Sequence, residues 1–364
     1  ARLSPSSPTT CWRAPPDRSH THWRLPGAPT IVAAKMPLDR FQREIDYLRI
    51  SVTDHCNLRC VYCMPLRGAA YAPLEGLLTA EEIERVARAA ASVGFRKIRL
   101  TGGEPTLRHD LVDIVRRVSH IPGIHDVALT TNGILLPKLA PALAAAGLHR
   151  VNVHVDSLDR QRVGRVMRWA ELDDVWAGIE AACAAGFTPL KLNCVVVGGY
   201  NDEDVVGMAR LTRERDWHVR FIELMPLGGG ECARIATQSF VSNRDTRRRI
   251  EEALGPLEEL PSTSAADESR NFRLRDGAGV IGFISPVSEP YCGSCNRMRL
   301  TADGRFHLCL LRDDELDVRA ALRNGEDEAR VASILLRAVG AKPTGHDLQH
   351  GVSTRERSMH HLGG

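Results

Sequence analysis

Lysine is scarce in this chain. Five of its 48 basic residues are lysine (Lys35, Lys97, Lys138, Lys191 and Lys342), so the other 43 are arginine. A skew of that kind reflects codon usage, and an arginine here argues for anion binding only where its position singles it out. Long apolar runs are missing as well. No stretch of eighteen apolar residues occurs, which excludes a membrane-spanning helix and points to a soluble protein. Net charge is almost absent: 48 basic against 45 acidic residues gives +3, too little to argue for nucleic acid. No G-x-x-x-x-G-K-[ST] motif exists, so a nucleotide, if bound, is not held by a P-loop.

What is present is ample for a core. The 364 residues allow about two domains at roughly 150 residues each, and 43% hydrophobic with 26% charged residues excludes wholesale disorder. The ten cysteines fall at positions 11, 56, 60, 63, 183, 194, 232, 292, 295 and 309, with two tight groups. Without a signal-peptide apolar region, that grouping reads as metal binding more than as disulfides, and implies a reducing, cytoplasmic setting.

Residues 1–35 are rich in proline, serine and arginine, hold one acid (Asp17), and have no periodicity that would bury a core. They read either as an organellar transit peptide or, the reading favoured, as read-through upstream of a start at Met36. From Tyr47 to Leu224 short β-rich runs (48–52, 97–101, 127–131, 151–155, 190–197 and 219–224) alternate with helical stretches. The clearest helix spans Thr79 to Val93, with Thr79 as N-cap, Glu82 completing a capping box and Gly94 as the stop. Helices over 110–118, 136–146, 173–185 and 202–215 follow the same style. Six such units predict an incomplete (β/α)6 barrel or an open doubly wound sheet over residues 36–240. After Phe240 the rhythm changes. A helix near 244–254, a hairpin at Asp276-Gly277, the second cysteine group and a helical tail from Glu315 to Val339 predict a smaller α+β domain over 241–340, followed by a loop-like tail, 341–364.

Cys56, Cys60 and Cys63 are spaced C-x3-C-x2-C just after the first β run. Three thiolates from one loop hold three irons of a [4Fe-4S] cluster and leave the fourth open to a substrate or cofactor. A structural zinc would want a fourth ligand, and His55 beside Cys56 would need awkward geometry. The string from Cys56 to Cys63, with Tyr62 before the last cysteine, resembles the radical S-adenosylmethionine (SAM) enzymes. In that family the open iron binds SAM's methionine moiety, and one electron yields methionine and a 5′-deoxyadenosyl radical. Further motifs sit where such a site needs them. Thr101-Gly102-Gly103-Glu104-Pro105, Thr130-Thr131-Asn132-Gly133, His154-Val155-Asp156 and Glu223-Leu224-Met225-Pro226 all follow predicted strands, at the face where parallel sheets and barrels assemble their sites. Alone, the Gly-Gly pair reads as an ordinary turn. After the cysteine loop, it reads as backbone able to approach SAM's ammonium.

Cys292, Cys295 and Cys309 form the second group. On spacing alone it is either another open-iron cluster or a zinc site completed by His307. The intervening Asn296-Arg297-Met298-Arg299 favours the first, because Arg297 and Arg299 share one face of an extended segment and can hold a polyanion beside the metal. Here the resemblance narrows to the GTP 3′,8-cyclases of molybdenum cofactor biosynthesis, from about Pro37 to Gly364. Its markers are Arg49-Ile50-Ser51-Val52-Thr53-Asp54, Arg99-Leu100-Thr101-Gly102-Gly103-Glu104-Pro105, Phe221-Ile222-Glu223-Leu224-Met225, Gly282-Phe283-Ile284-Ser285-Pro286-Val287, the second cysteine group and the terminal Gly363-Gly364.

That resemblance implies a TIM-like incomplete barrel closed by a C-terminal domain with a second [4Fe-4S] cluster. Cys56, Cys60 and Cys63 would hold the SAM cluster, and Cys292, Cys295 and Cys309 the substrate cluster. Tyr62, Gly103, Met225 and, in place of the usual serine, His154 would contact SAM. Arg49, Arg99, Thr130 and Lys191 would contact GTP on one side, with Arg297, Met298 and Arg299 on the other. The chemistry is radical, with no acid or base residue: the 3′ hydrogen of the ribose is removed, the sugar carbon attacks guanine C8, and an electron and proton complete (8S)-3′,8-cyclo-7,8-dihydroguanosine 5′-triphosphate. Expected partners are GTP, a flavodoxin- or ferredoxin-type reductant, a downstream cyclic pyranopterin monophosphate synthase and a second copy of the chain, with neither nucleic acid nor membrane.

His154 is bulkier than serine, and a histidine merely repacked at the strand end is the plain alternative. Gly277-Ala278-Gly279-Val280-Ile281-Gly282 satisfies G-x-G-x-x-G but precedes a β run, so a dinucleotide site lacks its required helix. Arg247-Arg248-Arg249 reads as a solvated helix face, Cys183 and Cys194 as core, and Gly363-Gly364 as a tail that threads into the active site. Two other functions compete: a radical SAM peptide-modifying enzyme with an auxiliary cluster, and a non-catalytic iron-sulfur electron carrier.

Overall fold

The computed structural model describes residues 35–262, 266–348, 354 and 356–363. The expectations for residues 1–34 and Gly364 therefore lie outside the described residues. In chain order the strands and helices begin β1 (Tyr47–Ser51), α1 (Ala80–Ser92), β2 (Lys97–Thr101), α2 (Leu111–Ser119), β3 (Asp126–Thr131), α3 (Leu136–Ala145), β4 (Arg150–His154), α4 (Arg160–Val166), α5 (Leu172–Ala184), β5 (Lys191–Val196), α6 (Val205–Glu214) and β6 (His218–Glu223). They continue as α7 (Gly230–Gln238), α8 (Asn243–Leu254), β7 (Leu257–Glu259), β8 (Arg270–Leu274), β9 (Val280–Ile284), β10 (Arg297–Leu300), β11 (Arg305–His307), β12 (Glu315–Asp317), α9 (Arg319–Arg323), α10 (Glu328–Gly340) and α11 (Met359–Leu362).

The six expected βα units are present, and the sheet they build is open. Its order is β12-β11-β10-β1-β2-β3-β4-β5-β6-β9-β8-β7. Strands β1 to β6 pair in sequence, all parallel. The C-terminal strands form no separate sheet. β10 adds parallel to β1 and β9 adds parallel to β6, so both edges of the barrel-like sheet are extended by chain from beyond residue 256. Antiparallel β11-β12 and β8-β7 then finish the two ends. Helices α1, α2, α3 and α5 pack their buried faces on the outside of the sheet through Ile83, Val86, Ile114, Val118, Leu143 and Ile179.

Local chemistry explains most of these elements. Thr79 accepts a hydrogen bond from the Glu82 N–H at 3.1 Å, and Glu82 returns one from the Thr79 N–H at 2.8 Å, closing the expected capping box at the start of α1. The G-x-G-x-x-G string runs through the turn before β9 and into that strand, with no helix behind it. Three helices, α4, α7 and α11, were not expected. α11 is a single four-residue turn in the segment expected to be loop-like, while α4 has Gly164 inside and α7 opens on Gly230 next to Gly228-Gly229, and glycine weakens the local helix signal. One expectation is corrected: Glu315 does not begin a helix. Glu315–Asp317 is β12, paired with β11 through Glu315↔His307, and the helical tail starts only at Arg319.

No helix among the described residues is long and apolar enough to cross a membrane. Because the α1 box satisfies two otherwise orphaned backbone donors, Thr79→Ala should lower stability by about 1 kcal/mol. A urea unfolding midpoint shifted accordingly, with unchanged slope, checks it.

Candidate active site

Strands buried on both faces in a parallel sheet normally read as continuous apolar runs. Here they do not. Arg49, Arg99, Asn152, Lys191, Asn193 and Arg220 interrupt β1, β2, β4, β5 and β6, with buried apolar residues between them. The registers place them on one face: Arg299 opposite Arg49, Arg49 opposite Arg99, Asn152 opposite Lys191, His154 opposite Asn193, and Asn193 opposite Arg220. That face lines a chamber whose walls include Arg49, Asn152, Asn193, Arg220, Arg297 and Arg299.

The three-cysteine loop closes one end of the chamber, with Cys56, Cys60 and Cys63 on its wall beside Tyr62, Gly103, His154 and Met225. Gly102 and Gly103 are there for a steric reason. A Cβ on Gly102 would lie 2.1 Å from the Thr53 carbonyl oxygen, and one on Gly103 would lie 2.4 Å from that of His55. Only glycine lets the loop after β2 press against the cysteine loop. Burial pushes the Cys56 thiol up to about 11 and raises Cys60 and Cys63 as well.

Cys292, Cys295 and Cys309 line an adjoining cavity that shares Met225, Tyr291, Arg297, Arg299 and Leu310 with the chamber. Here burial works against ionisation, but Lys342 and Arg297 outweigh it and bring Cys295 down to about 6. All six grouped cysteines are free thiols. Among the described residues no three His, Cys, Asp or Glu side chains converge as ligands of a single ion, so His307 does not complete a mononuclear zinc site. Its Nδ1 instead bonds Glu315 at 3.0 Å. A cubane cluster asks for less convergence, since each cysteine meets its own iron, and the donor sets fit that group.

His154 is held by hydrogen bonds. Tyr62 donates its hydroxyl to Asp156 at 2.8 Å, and His154 Nε2 lies 2.8 Å from that hydroxyl and 3.0 Å from the same carboxylate. Burial opposes protonation, but the Asp156 carboxylate wins and raises the imidazole pKa. Thr130 accepts from Arg99 at 3.0 Å, and Arg99 also donates to the Tyr47 hydroxyl. Arg99 and Lys191 share the chamber face without bordering the cavity. Met298 stands apart from the other predicted substrate residues: it alternates with Arg297 and Arg299, and its side chain is fully buried in the apolar core on the opposite face of β10.

Three acids at the ends of even-numbered strands hold the rim together. Glu104 accepts from the Thr106 and Asn132 N–H groups at 3.0 and 2.7 Å and from the hydroxyls of Thr106 and Thr131 at 2.5 and 2.7 Å. Asp156 accepts from the Val195 N–H at 2.8 Å. Glu223 accepts from Asn243, Val287 and Ser288 N–H groups between 2.9 and 3.1 Å. The sequence reading marked their motifs and missed this role. It also missed Asn152, Asn193, Arg220, Tyr291 and Glu268. With its amide oxygen turned toward the arginines, Asn152 accepts from Arg99 and Arg220 at 2.6 and 2.5 Å. Polar residues at alternate positions of otherwise apolar parallel strands were the available signal for Asn152, Asn193 and Arg220.

An open parallel sheet with a three-cysteine loop after its first strand is the architecture of the Radical SAM superfamily, which matches residues 50–212. Residues 217–348 match the family described as Molybdenum Cofactor Synthesis C. A GTP 3′,8-cyclase of Pelotomaculum thermopropionicum is 48% identical over 326 residues, covering 90% of this chain and 99% of that protein. One of Heliobacterium modesticaldum is 47% identical over 328 residues, covering 90% and 100%. The chain belongs to the GTP 3′,8-cyclase family. In fold it is similar to Streptococcus suis SuiB crystallised with S-adenosylmethionine, with a TM-score of 0.57 and 14% identity over 80% of this chain and 67% of that one. Superfamily membership brings a [4Fe-4S] cluster and SAM as cofactors.

Glu104 joins the glycine loop to the loop after β3 through charge-assisted bonds. Glu104→Gln should therefore cost about 2 kcal/mol, read as a lowered unfolding midpoint of the cluster-free chain.

Proposed function

We propose that this chain cyclises GTP to (8S)-3′,8-cyclo-7,8-dihydroguanosine 5′-triphosphate, the first step of molybdenum cofactor biosynthesis. One observation carries the reading. The three-cysteine loop and the arginine pair of the second cysteine group face one chamber, and that chamber holds more buried cationic donors than the protein itself satisfies. The Arg299 side chain makes no hydrogen bond or ion pair among the described residues, and Arg49 Nε, Arg297 Nε and Nη2 and Arg299 Nε are buried without an acceptor. Buried donors left unmade are costly, so a set of them marks the place of an anion with many oxygens.

On this reading Cys56, Cys60 and Cys63 hold the SAM cluster and Cys292, Cys295 and Cys309 a second [4Fe-4S] cluster. Bound SAM and its cluster supply a 5′-deoxyadenosyl radical that takes the ribose 3′ hydrogen. Arg49, Arg99, Thr130, Lys191, Arg220, Arg297 and Arg299 bind and orient the nucleotide, fixing its ribose toward the cysteine-loop end. Tyr62, His154 and Asp156 form one hydrogen-bonded unit that shapes the SAM end of the chamber. Met359 of the C-terminal helix lines the chamber, and a Cβ on Gly363 would fall 2.3 Å from the Thr101 methyl carbon, so only a glycine tail fits against the loop after β2. That tail excludes water from the reacting atoms. Electrons come from a flavodoxin- or ferredoxin-type donor, and the product passes to a cyclic pyranopterin monophosphate synthase. The setting is cytoplasmic. The domain limits are 36–240 and 241–340, with 341–364 as the tail.

Anaerobic reconstitution followed by assay with SAM, dithionite and GTP tests this. Cys60→Ala should abolish SAM cleavage, whereas Arg297→Ala should still cleave SAM yet lose at least about a hundredfold in cyclised nucleotide. Undiminished cyclisation by the arginine variant would overturn the substrate assignment. A second test uses pH. Burial and the neighbouring Arg220, Arg150 and Arg99 bring Lys191 down to about 8, so its charge is present at pH 7 and lost as pH rises through that value. Wild-type GTP affinity should weaken between pH 7 and 9, and in Lys191→Arg much of that weakening should vanish, as measured by nucleotide binding across the range.

A further inference from the structure

Among the described residues that line the chamber, Glu268 is the one acid held by cations instead of by neutral donors. Its Oε1 lies 3.5 Å from Arg49 Nη2 and 3.8 Å from Arg220 Nη1, and its Oε2 lies 3.3 Å from Arg297 Nη1. Each distance exceeds the roughly 2.7–2.9 Å of a close charge-assisted bond. The guanidiniums are therefore spaced for something larger than one carboxylate. They also outnumber it. A carboxylate offers about four acceptor sites, and with Glu268 in place Arg49 Nε, Arg297 Nε and Nη2 and Arg299 Nε stay buried and unpaired.

Glu104 gives the contrast. It is fixed by two backbone N–H groups and two hydroxyls at 2.5 to 3.0 Å, a set that no ligand can replace. Glu268 has no comparable tether among the described residues, its only hydrogen bond being the long one from Arg49. Burial disfavours its charge, yet Arg297, Arg49 and Arg220 hold its carboxyl far below the usual range. The carboxylate is thus ionised because of the arginines and stays only while they lack a better anion.

We propose that Glu268 is a built-in counter-ion of the anion site, standing where part of the substrate's triphosphate binds and yielding its arginines to that triphosphate. This rests on the reading of the chamber as the nucleotide site. Two consequences follow from electrostatics. The empty chamber is partly neutralised, so its cations are not left dry and mutually repelling. A ligand that takes the carboxylate's place must also repay the cost of displacing it, so Glu268 lowers the affinity of the site, and most for the most highly charged anions.

The test measures binding of inorganic triphosphate, GTP, GMP and guanosine to the anaerobically reconstituted enzyme, wild type and Glu268→Gln. The variant should bind inorganic triphosphate about tenfold tighter and widen the preference for GTP over GMP, since the more highly charged ligand gains most from loss of the carboxylate, with guanosine unchanged. Triphosphate binding that is unchanged or weaker in Glu268→Gln overturns the proposal. Should that variant not fold, Glu268→Asp, which draws the charge back by one methylene, is expected to tighten triphosphate by about threefold, and weakening there overturns it equally. Wild-type enzyme that binds neither inorganic triphosphate nor GTP would defeat the nucleotide reading itself; wild type that binds both, beside variants that gain nothing, defeats only the counter-ion role.

Discussion

The parallel pairing of β10 with β1 is the constraint on which the site depends. It brings residue 297 alongside residue 47, and so sets Arg299 opposite Arg49, which in turn stands opposite Arg99. Without it the first strand would be a bare sheet edge, and the second cysteine group would hang on an unrelated surface. With it, one register fixes three arginines in a row, and the two cysteine groups meet across a shared wall. Arg43 reinforces the junction by donating to the carbonyls of Cys292, Pro343 and Thr344 at 2.6 to 2.8 Å while Asp39 holds its other edge.

A chamber of buried cations imposes its own requirements. Burial brings Arg220 and Arg299 down to about 10, and Lys191 lower still, because like charges crowd one face in a poorly solvated space. The fold answers with fixed polar neighbours such as Asn152 and Asn193, which accept from Arg99 and Arg220 without adding charge. The acids are divided by role. Glu104, Asp156 and Glu223 tie the loops at the strand ends, and Glu268 faces the arginines. The same residue type is permanent in one setting and exchangeable in the other because of what donates to it.

Much of the fold was legible along the chain. The capping box at Thr79 and Glu82, the six β runs and the hairpin at Asp276 are local signals, and local hydrogen bonding and side-chain alternation realise them. The first cysteine group was legible for a similar reason, since three thiols within eight residues need only one loop. What escaped was weak locally or decided from far away. α4 and α7 are short and glycine-marked. β12 is a strand because β11 lies beside it, although its sequence runs into helix-forming residues. Met298 sits between two arginines in sequence and across the sheet from them in space, because the alternation of a strand overrides adjacency.

The sequence by itself determined the chemistry on offer: two groups of three thiols, a glycine loop, an arginine pair and a rhythm of parallel βα units. These are properties of short segments, and their periods and spacings are fixed by covalent geometry. Only the tertiary structure decided how they are combined. That β9 and β10 would enter the sheet at opposite edges, that Asn193, Arg220 and Glu268 would join the same chamber, and that its donors would outnumber its acceptors all follow from non-local registers. Such registers are chosen by burying the whole apolar surface at once, and no single segment records that sum.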